Sequence, residues 1–211
     1  MTVTGSRTTW RNFAIGVGCL VLGLFGMLPV TAAAAPEAPA QSVDSLILSL
    51  EDVEAIVGVS DLASKPDLDL RQPRGMHQYD SEYPSECQPL FDQDVAFGSN
   101  FSQFRTVAYS GVANRAVTQA IGIYPSADAA RATLIRLATS VAACSDLHVP
   151  NMAPNVQQLD RSTVAVCFTQ CSTLYRAMGP ILIGVDAVHF GDSDRIATAV
   201  LKQIADRVNA G

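Results

Sequence analysis

The stretch FRTVAYSGVANRAVTQAIGIY, residues 104–124, carries the clearest fold signal in this 211-residue chain. Its two runs, Phe104 to Ser110 and Ala116 to Tyr124, are rich in the β-branched and aromatic residues that favour strands. Between them lies Gly111-Val112-Ala113-Asn114, whose glycine and asparagine are typical of turns. The stretch therefore predicts a β-hairpin.

Three further strands are predicted downstream of this hairpin, at Ser162 to Thr169, Thr173 to Met178 and Ile181 to Phe190. Gly179-Pro180 marks the turn between the last two. Since consecutive strands joined by short turns pair antiparallel, the five strands are expected to form one antiparallel sheet.

Three helices are predicted around this sheet. Ser49-Leu50-Glu51-Asp52 resembles a capping box, and Gly58 supplies the stop. Longer helices are predicted at Ala127 to Ala143 and at Ser193 to Asn209, each with apolar residues at helical spacing. The sequence thus predicts an α+β fold: an antiparallel sheet of about five strands with three helices packed on one face. The segments 60–94 and 146–158, rich in proline and polar residues, are predicted to be irregular.

The N-terminus has the pattern of a secretory signal. Arg7 and Arg11 precede an apolar run from Phe13 to Val30, and small residues follow this run up to Ala34. This pattern predicts a signal peptide at 1–34, with an uncleaved membrane anchor as the alternative. Residues 35–44 are predicted to be a flexible tether, and 45–211 to be the folded domain.

Composition excludes several classes of protein. The chain is 48% hydrophobic and 16% charged, with a formal net charge of −6. It is too hydrophobic for a disordered acidic chain, and it lacks the basic footprint of a nucleic-acid binder. Together with the N-terminal pattern, this predicts an exported protein that is secreted or belongs to the cell envelope. It would contact the membrane only through its N-terminal segment, if that segment is retained.

Four cysteines remain after the predicted signal: Cys87, Cys144, Cys167 and Cys171. An even number in an exported chain indicates disulfides, for which three connectivities exist. A Cys87–Cys144 bond would attach the proline-rich segment to the middle helix. A Cys167–Cys171 bond would require a tight turn between the two residues, because four residues of extended strand span about 13 Å; two buried reduced thiols are the alternative.

Catalytic and metal-binding patterns are weak. Cys144, Asp146 and His148 lie within five residues, but this pattern is more simply a disulfide cysteine followed by a polar loop. Cys167, Cys171 and His189 make only part of a metal site, since structural zinc needs four ligands at recognised spacings. No nucleotide-binding or hydrolase motif is present. We therefore expect no enzyme activity, no cofactor and no metal. The aromatic residues Phe97, Phe101, Phe104 and Tyr109 are expected to be core rather than pocket lining.

Three short motifs resemble the PknH-like extracellular sensor domain family. They are Pro84-Ser85-Glu86-Cys87, the helix start Tyr124-Pro125-Ser126-Ala127-Asp128-Ala129-Ala130, and Cys171 before a strand containing Val185-Asp186. The resemblance covers about Ser45 to Val208. Members of that family are actinobacterial envelope proteins, either fused to a receptor serine/threonine kinase or secreted or lipid-anchored.

The resemblance implies an antiparallel sheet with helices, a cleft, two disulfides and a domain that senses an unidentified ligand. It implies the bond Cys87–Cys144. The family's fourth cysteine would fall near Val188 or His189, where this chain has none, and Cys167 is present instead.

The leading hypothesis is an extracytoplasmic, non-enzymatic domain that binds an unknown small ligand or envelope component in a cleft between the sheet and the disulfide-bound loop. A structural or surface-interaction protein of the envelope without a small ligand is the first alternative. A secreted hydrolase with scattered catalytic residues is the second.

Overall fold

The computed structural model describes residues 41–150, 152–170 and 172–211, which form five α-helices and seven β-strands. The helices are α1 Val43–Leu46, α2 Leu50–Val57, α3 Gln93–Phe97, α4 Ala127–Asp146 and α5 Ser193–Ala210. The strands are β1 Ala63–Ser64, β2 Gln103–Ser110, β3 Ala116–Ile123, β4 Asn155–Asp160, β5 Thr163–Cys167, β6 Thr173–Met178 and β7 Ile181–Val188. Within these described ranges, no helix is long and apolar enough to cross a membrane.

All seven strands form one antiparallel sheet in the order β1-β2-β3-β7-β6-β5-β4. The hairpin predicted from residues 104–124 is the β2–β3 pair, with Gln103 opposite Ile123 and Ser110 opposite Ala116. Ala113 and Asn114 in its turn have φ of 56° and 58°, the left-handed conformation that suits the twist of a hairpin.

The predictions of about five strands and three helices are too low. β1 has only two residues, and β4 begins inside the segment 146–158, which the sequence predicts to be irregular. β4 is the edge of the sheet and most of its residues are exposed, so it lacks the alternation of apolar and polar residues that marks a half-buried strand. The two missed helices, α1 and α3, have four and five residues, too few for a helical period to be visible.

Helices cover both faces of the sheet, so the prediction of helices on one face is wrong. Val117, Ile121 and Ile183 face a core shared with α1, α2 and α5. Ala120 and Leu182 face the opposite side, where α3 and α4 pack. Alternate residues of a strand point to opposite faces of the sheet. Because the residues on each face are apolar, the sheet is covered on both sides.

The folded part begins before residue 45. Gln41 donates to the carbonyl of Arg207 at 3.1 Å, and Val43 is 3% exposed, so residues 41–44 of the predicted tether are packed against the domain. The buried side chain of Gln119 holds the next segment: its Oε1 accepts from Leu48 N at 2.9 Å and its Nε2 donates to Leu48 O at 3.2 Å. The predicted signal peptide at 1–34 and the rest of the tether, 35–40, lie outside the described residues.

Candidate functional site

The sulfur atoms of Cys87 and Cys144 are bonded at 2.04 Å, and both residues are fully buried. Cys144 lies in the last turn of α4, and Cys87 lies in a 3₁₀-helix, Ser85–Leu90, that runs towards α3. We call residues 85–97 the cover segment, because they lie over the α4 side of the sheet. The bond attaches this segment to α4.

Two side chains of α4 add to this attachment. The Arg136 guanidinium donates to the carbonyls of Val95 and Ala96, at 2.7 and 2.9 Å, and so satisfies acceptors at the end of α3. Ser140 donates to the carbonyl of Glu86 at 3.2 Å. The cover segment is therefore held to α4 at both of its ends.

Three oxygen-bearing side chains form a row across the centre of the sheet beneath this segment. Asp186 of β7 lies directly opposite Thr118 of β3 on one side and Thr173 of β6 on the other. Cross-strand neighbours in such pairs have Cβ atoms about 4.5–5.5 Å apart, close enough to share one ligand group. The Thr173 hydroxyl donates to Asp186 Oδ1 at 2.7 Å. All three side chains point to the face that α4 and the cover segment occupy.

A cavity of about 50 Å³ lies over this row, and we call it the polar cavity. Its roof comes from the cover segment: Gln93, whose amide donates to the Thr106 hydroxyl at 3.2 Å, and the Phe97 ring. A second cavity of about 30 Å³ adjoins it and shares Thr173 and Tyr175. Since one water needs about 10–15 Å³ of such volume, the two cavities have room for a few waters or for one small functional group.

The glycine of β7 makes this space available. A Cβ at Gly184 would lie 3.0 Å from the Tyr175 ring and 3.1 Å from the Phe97 ring. Both rings would have to shift to accommodate it. Gly184 thus lets the two aromatic walls of the polar cavity approach the sheet.

Asp186 is the main electrostatic feature of the cavity. Burial raises the pKa of its carboxyl, and the hydrogen bond from Thr173 only partly opposes this. Among the described residues, no cation forms an ion pair with Asp186 and no donor bonds its second oxygen, Oδ2. A carboxyl group in this setting can accept a hydrogen bond from a ligand, or donate one when it is protonated. Burial also raises the pKa of Tyr175, so its hydroxyl stays protonated.

A second titratable cluster joins the chain before the cover segment to the cover segment itself. His77 Nε2 is 2.8 Å from Asp94 Oδ2, and His77 Nδ1 is 3.1 Å from Asp80 Oδ2. Together with the buried Asp92, His77 and Asp94 place one potential metal ligand each within 4.8 Å of one another. However, both ring nitrogens of His77 already contact carboxylates, and Asp92 accepts from the Met76 amide. The cluster fastens residues 76–80 to 92–94.

The Cys144, Asp146 and His148 motif does not form a catalytic group. The sulfur of Cys144 is in the disulfide and cannot act as a thiolate nucleophile. The exposed His148 contacts the backbone carbonyl of Asp146, with Nδ1 2.6 Å from that oxygen. The motif is thus the end of α4 and the turn that follows it.

The predicted Cys167–Cys171 bond stays a prediction, because Cys171 lies outside the described residues. Cys167 itself is disulfide-bonded and is 5% exposed, on the α5 side of the sheet. The alternative of two buried reduced thiols is therefore wrong for Cys167. His189 is exposed, and a disulfide sulfur is not a thiolate ligand for metal.

The four aromatic residues lie in the core or pack against it, as expected, but Phe97 also lines a cavity, which was not expected. Phe97, Phe101 and Phe104 belong to the core under α4, and Phe97 also lines the polar cavity. Tyr109 lies on the other face, where its hydroxyl donates to the carbonyl of Leu48 at 2.8 Å.

Sequence reasoning missed Asp186, Thr118 and Thr173 as site residues. The available signal was a carboxylate in the middle of the apolar run ILIGVDAV, residues 181–188. An acid in a strand that is buried on both faces indicates either a partner or a function, but finding its neighbours required the strand register.

The fold and its buried disulfide define the class: a disulfide-bonded α+β domain of the kind that persists in oxidising, extracytoplasmic compartments. The sequence profile of the PknH-like extracellular domain family matches residues 38–207. The chain therefore belongs to the PknH-like extracellular domain family, which confirms the resemblance and the extracytoplasmic location.

A solved structure supports the same fold. The crystal structure of the extracellular domain of PknH from Mycobacterium tuberculosis matches with a TM-score of 0.58 and 17% identity, covering 80% of this chain and 95% of that one. No curated protein matches the sequence.

Proposed function

We propose that the protein is an extracytoplasmic, sensor-like domain that binds a small polar group of a ligand in the polar cavity. The observation that carries the proposal is Asp186, a partly buried carboxyl without an ion-pair partner among the described residues, beside an open cavity in the middle of the sheet. Perturbed titratable groups in cavities are characteristic of functional sites.

The chemistry of the lining favours a group that both donates and accepts hydrogen bonds, such as an amide or an alcohol. Asp186 Oδ2 offers an acceptor, or a donor when protonated, and the hydroxyls of Thr118 and Thr173 flank it. The cover segment adds the amide of Gln93. Because the disulfide and Arg136 hold this segment in place, less entropy is lost when a ligand is enclosed.

We propose binding without turnover. Cys144 is oxidised, and the Asp186 row contains no base hydrogen-bonded to a nucleophile other than the Thr173–Asp186 pair. That pair lies under the cover segment, where a large substrate has no room.

The experiment is a fragment screen by ¹H–¹⁵N NMR with small amides, alcohols, amines and carboxylates. We expect amides or alcohols to shift the signals of Gln93, Thr118 and Thr173, and we expect the shifts to be lost in Asp186→Asn and Thr118→Val. Thr198→Val, on the exposed face of α5, is the matched control. The proposal is wrong if no fragment class shifts these signals, or if both cavity variants respond like the wild type.

A further inference from the structure

A groove of about 430 Å³, separate from the polar cavity, lies between the first half of α4 and the β4–β5 hairpin. Its volume is within the 300–1,000 Å³ typical of small-molecule sites. We call it the α4 groove. Its apolar wall is formed by Leu134, Ile135, Ala138 and Val164. Two cations, Arg131 and Arg161, also line it.

The apolar wall is open to solvent at one residue in particular. Ile135 is 58% exposed, although it lies on the helix that packs against the sheet. Covering its side chain would be favourable by about 25 cal/mol per Å² of apolar surface removed from water. A hydrocarbon chain lying in the groove would provide that cover.

The two arginines of the groove differ from several other arginines of this domain in having no polar partner among the described residues. Neither Arg131 nor Arg161 makes a hydrogen bond or an ion pair with any residue in the described part of the chain. By contrast, Arg105 pairs with Asp44 and Asp69 at 3.0 and 2.8 Å, and all three belong to the opposite end of the domain.

No acidic side chain from the described part of the chain lines the α4 groove. Asp160, next to Arg161, uses its carboxylate locally, accepting from the Ser162 amide at 2.7 Å and the Thr163 hydroxyl at 2.9 Å. Asp128, one turn before Arg131 on α4, forms no ion pair with it. In a chain of net charge −6, the groove therefore presents positive charge beside an apolar wall.

We propose that the α4 groove binds one molecule of an anionic amphiphile, with a carboxylate or phosphate head between Arg131 and Arg161 and its alkyl chain along Ile135. Arginine matches both head groups because its guanidinium forms paired hydrogen bonds with them. A single molecule is favoured over a membrane surface, because the acidic chain as a whole is repelled by an anionic bilayer.

The experiment is a titration of the full chain, purified from an exporting host, with alkyl phosphates and alkyl carboxylates of six to twelve carbons, all below their micelle-forming concentrations. Calorimetry gives the affinity, and NMR signals of residues 131–139 and 158–164 give the location. We expect affinity to rise about fourfold per added CH₂ until the groove is full and then to level off. The phosphate and carboxylate series show which head group is preferred.

Arg131→Gln and Arg161→Gln are each expected to weaken binding about tenfold, since each removes a charged hydrogen bond. Both residues are exposed, so the variants are expected to fold, and thermal melts verify this. Arg195→Gln, an exposed arginine of α5, is the matched control and should bind like the wild type.

Equal binding of decyltrimethylammonium would overturn the proposal, since it carries the opposite charge. So would affinity unchanged in both arginine variants, absence of binding by every chain length, or sedimentation with phosphatidylglycerol vesicles without binding of monomeric amphiphile.

Discussion

The bond between Cys87 and Cys144 is expected to supply much of the stability of this domain. Its partners are 57 residues apart, and closing a loop of that size in the unfolded chain corresponds to about 4 kcal/mol in the chain-entropy account. For a domain of this size, 1 kcal/mol shifts the melting temperature by about 2–4 °C. The double variant Cys87→Ala/Cys144→Ala should therefore melt roughly 8–16 °C lower than the wild type.

The assays are thermal unfolding, which measures the melting temperature, and urea unfolding of both proteins, all without reductant so that the disulfide of Cys167 is left intact. The slope of the unfolding free energy against urea separates two causes. Loss of the cross-link lets the unfolded chain expose more surface, which raises the slope, whereas a packing defect lowers the midpoint and leaves the slope unchanged. Alanine is preferred to serine because both positions are fully buried and a hydroxyl there would lack a partner.

Hydrogen exchange locates the effect. Amides of the cover segment, residues 85–97, should lose protection more than amides of α5, because the bond attaches that segment and not α5. The reasoning fails if the double variant keeps the wild-type midpoint and slope, or if protection falls equally throughout the chain.

Three further predictions concern the pKa values of Asp186 and His77 and the attachment of the cover segment to α4. Burial raises the native pKa of Asp186, so the wild type should lose stability as pH rises from about 4 through that pKa. Asp186→Asn should therefore be the more stable protein at pH 7. Urea midpoints of both proteins at several pH values test this. Contacts with Asp94 and Asp80 raise the pKa of His77, so the stabilisation from its charged form is complete below about pH 6.5 and is lost as pH rises through the native pKa. NMR titration should show this raised pKa, and Asp94→Asn should lower it. Arg136→Gln should speed amide exchange at the end of α3 on the order of tenfold, while exchange in α5 stays unchanged.

The regular elements with an apolar period could be predicted from the sequence, and those without one could not. The hairpin of 104–124 and the long helices α4 and α5 have clear periods, and each lies within a few residues of its predicted bounds. β4 is mostly exposed and α3 has five residues, so neither produces a period.

The residues of the candidate site depend on the register of three strands, which explains why they were not predicted, although a cleft between the sheet and the disulfide-bound loop was. Thr118 and Asp186 are 68 residues apart and become neighbours only when β3 pairs with β7. The cover segment is positioned by a disulfide, which the cysteine pattern and the family resemblance indicated, and by hydrogen bonds from α4, which have no local sequence signal. Export, by contrast, could be inferred early from the N-terminal pattern and the even number of cysteines.

Two polar side chains of the central strands differ in how completely the fold satisfies them. Gln119 is fully buried, and its amide bonds both the N–H and the C=O of Leu48, so it is satisfied by the fold and fastens the chain segment between α1 and α2. Asp186, on the other face, has one hydrogen bond, a pKa raised by burial and an adjoining cavity. A valine or asparagine there would cost the fold less. This contrast supports the proposal that a ligand completes the hydrogen bonds of Asp186.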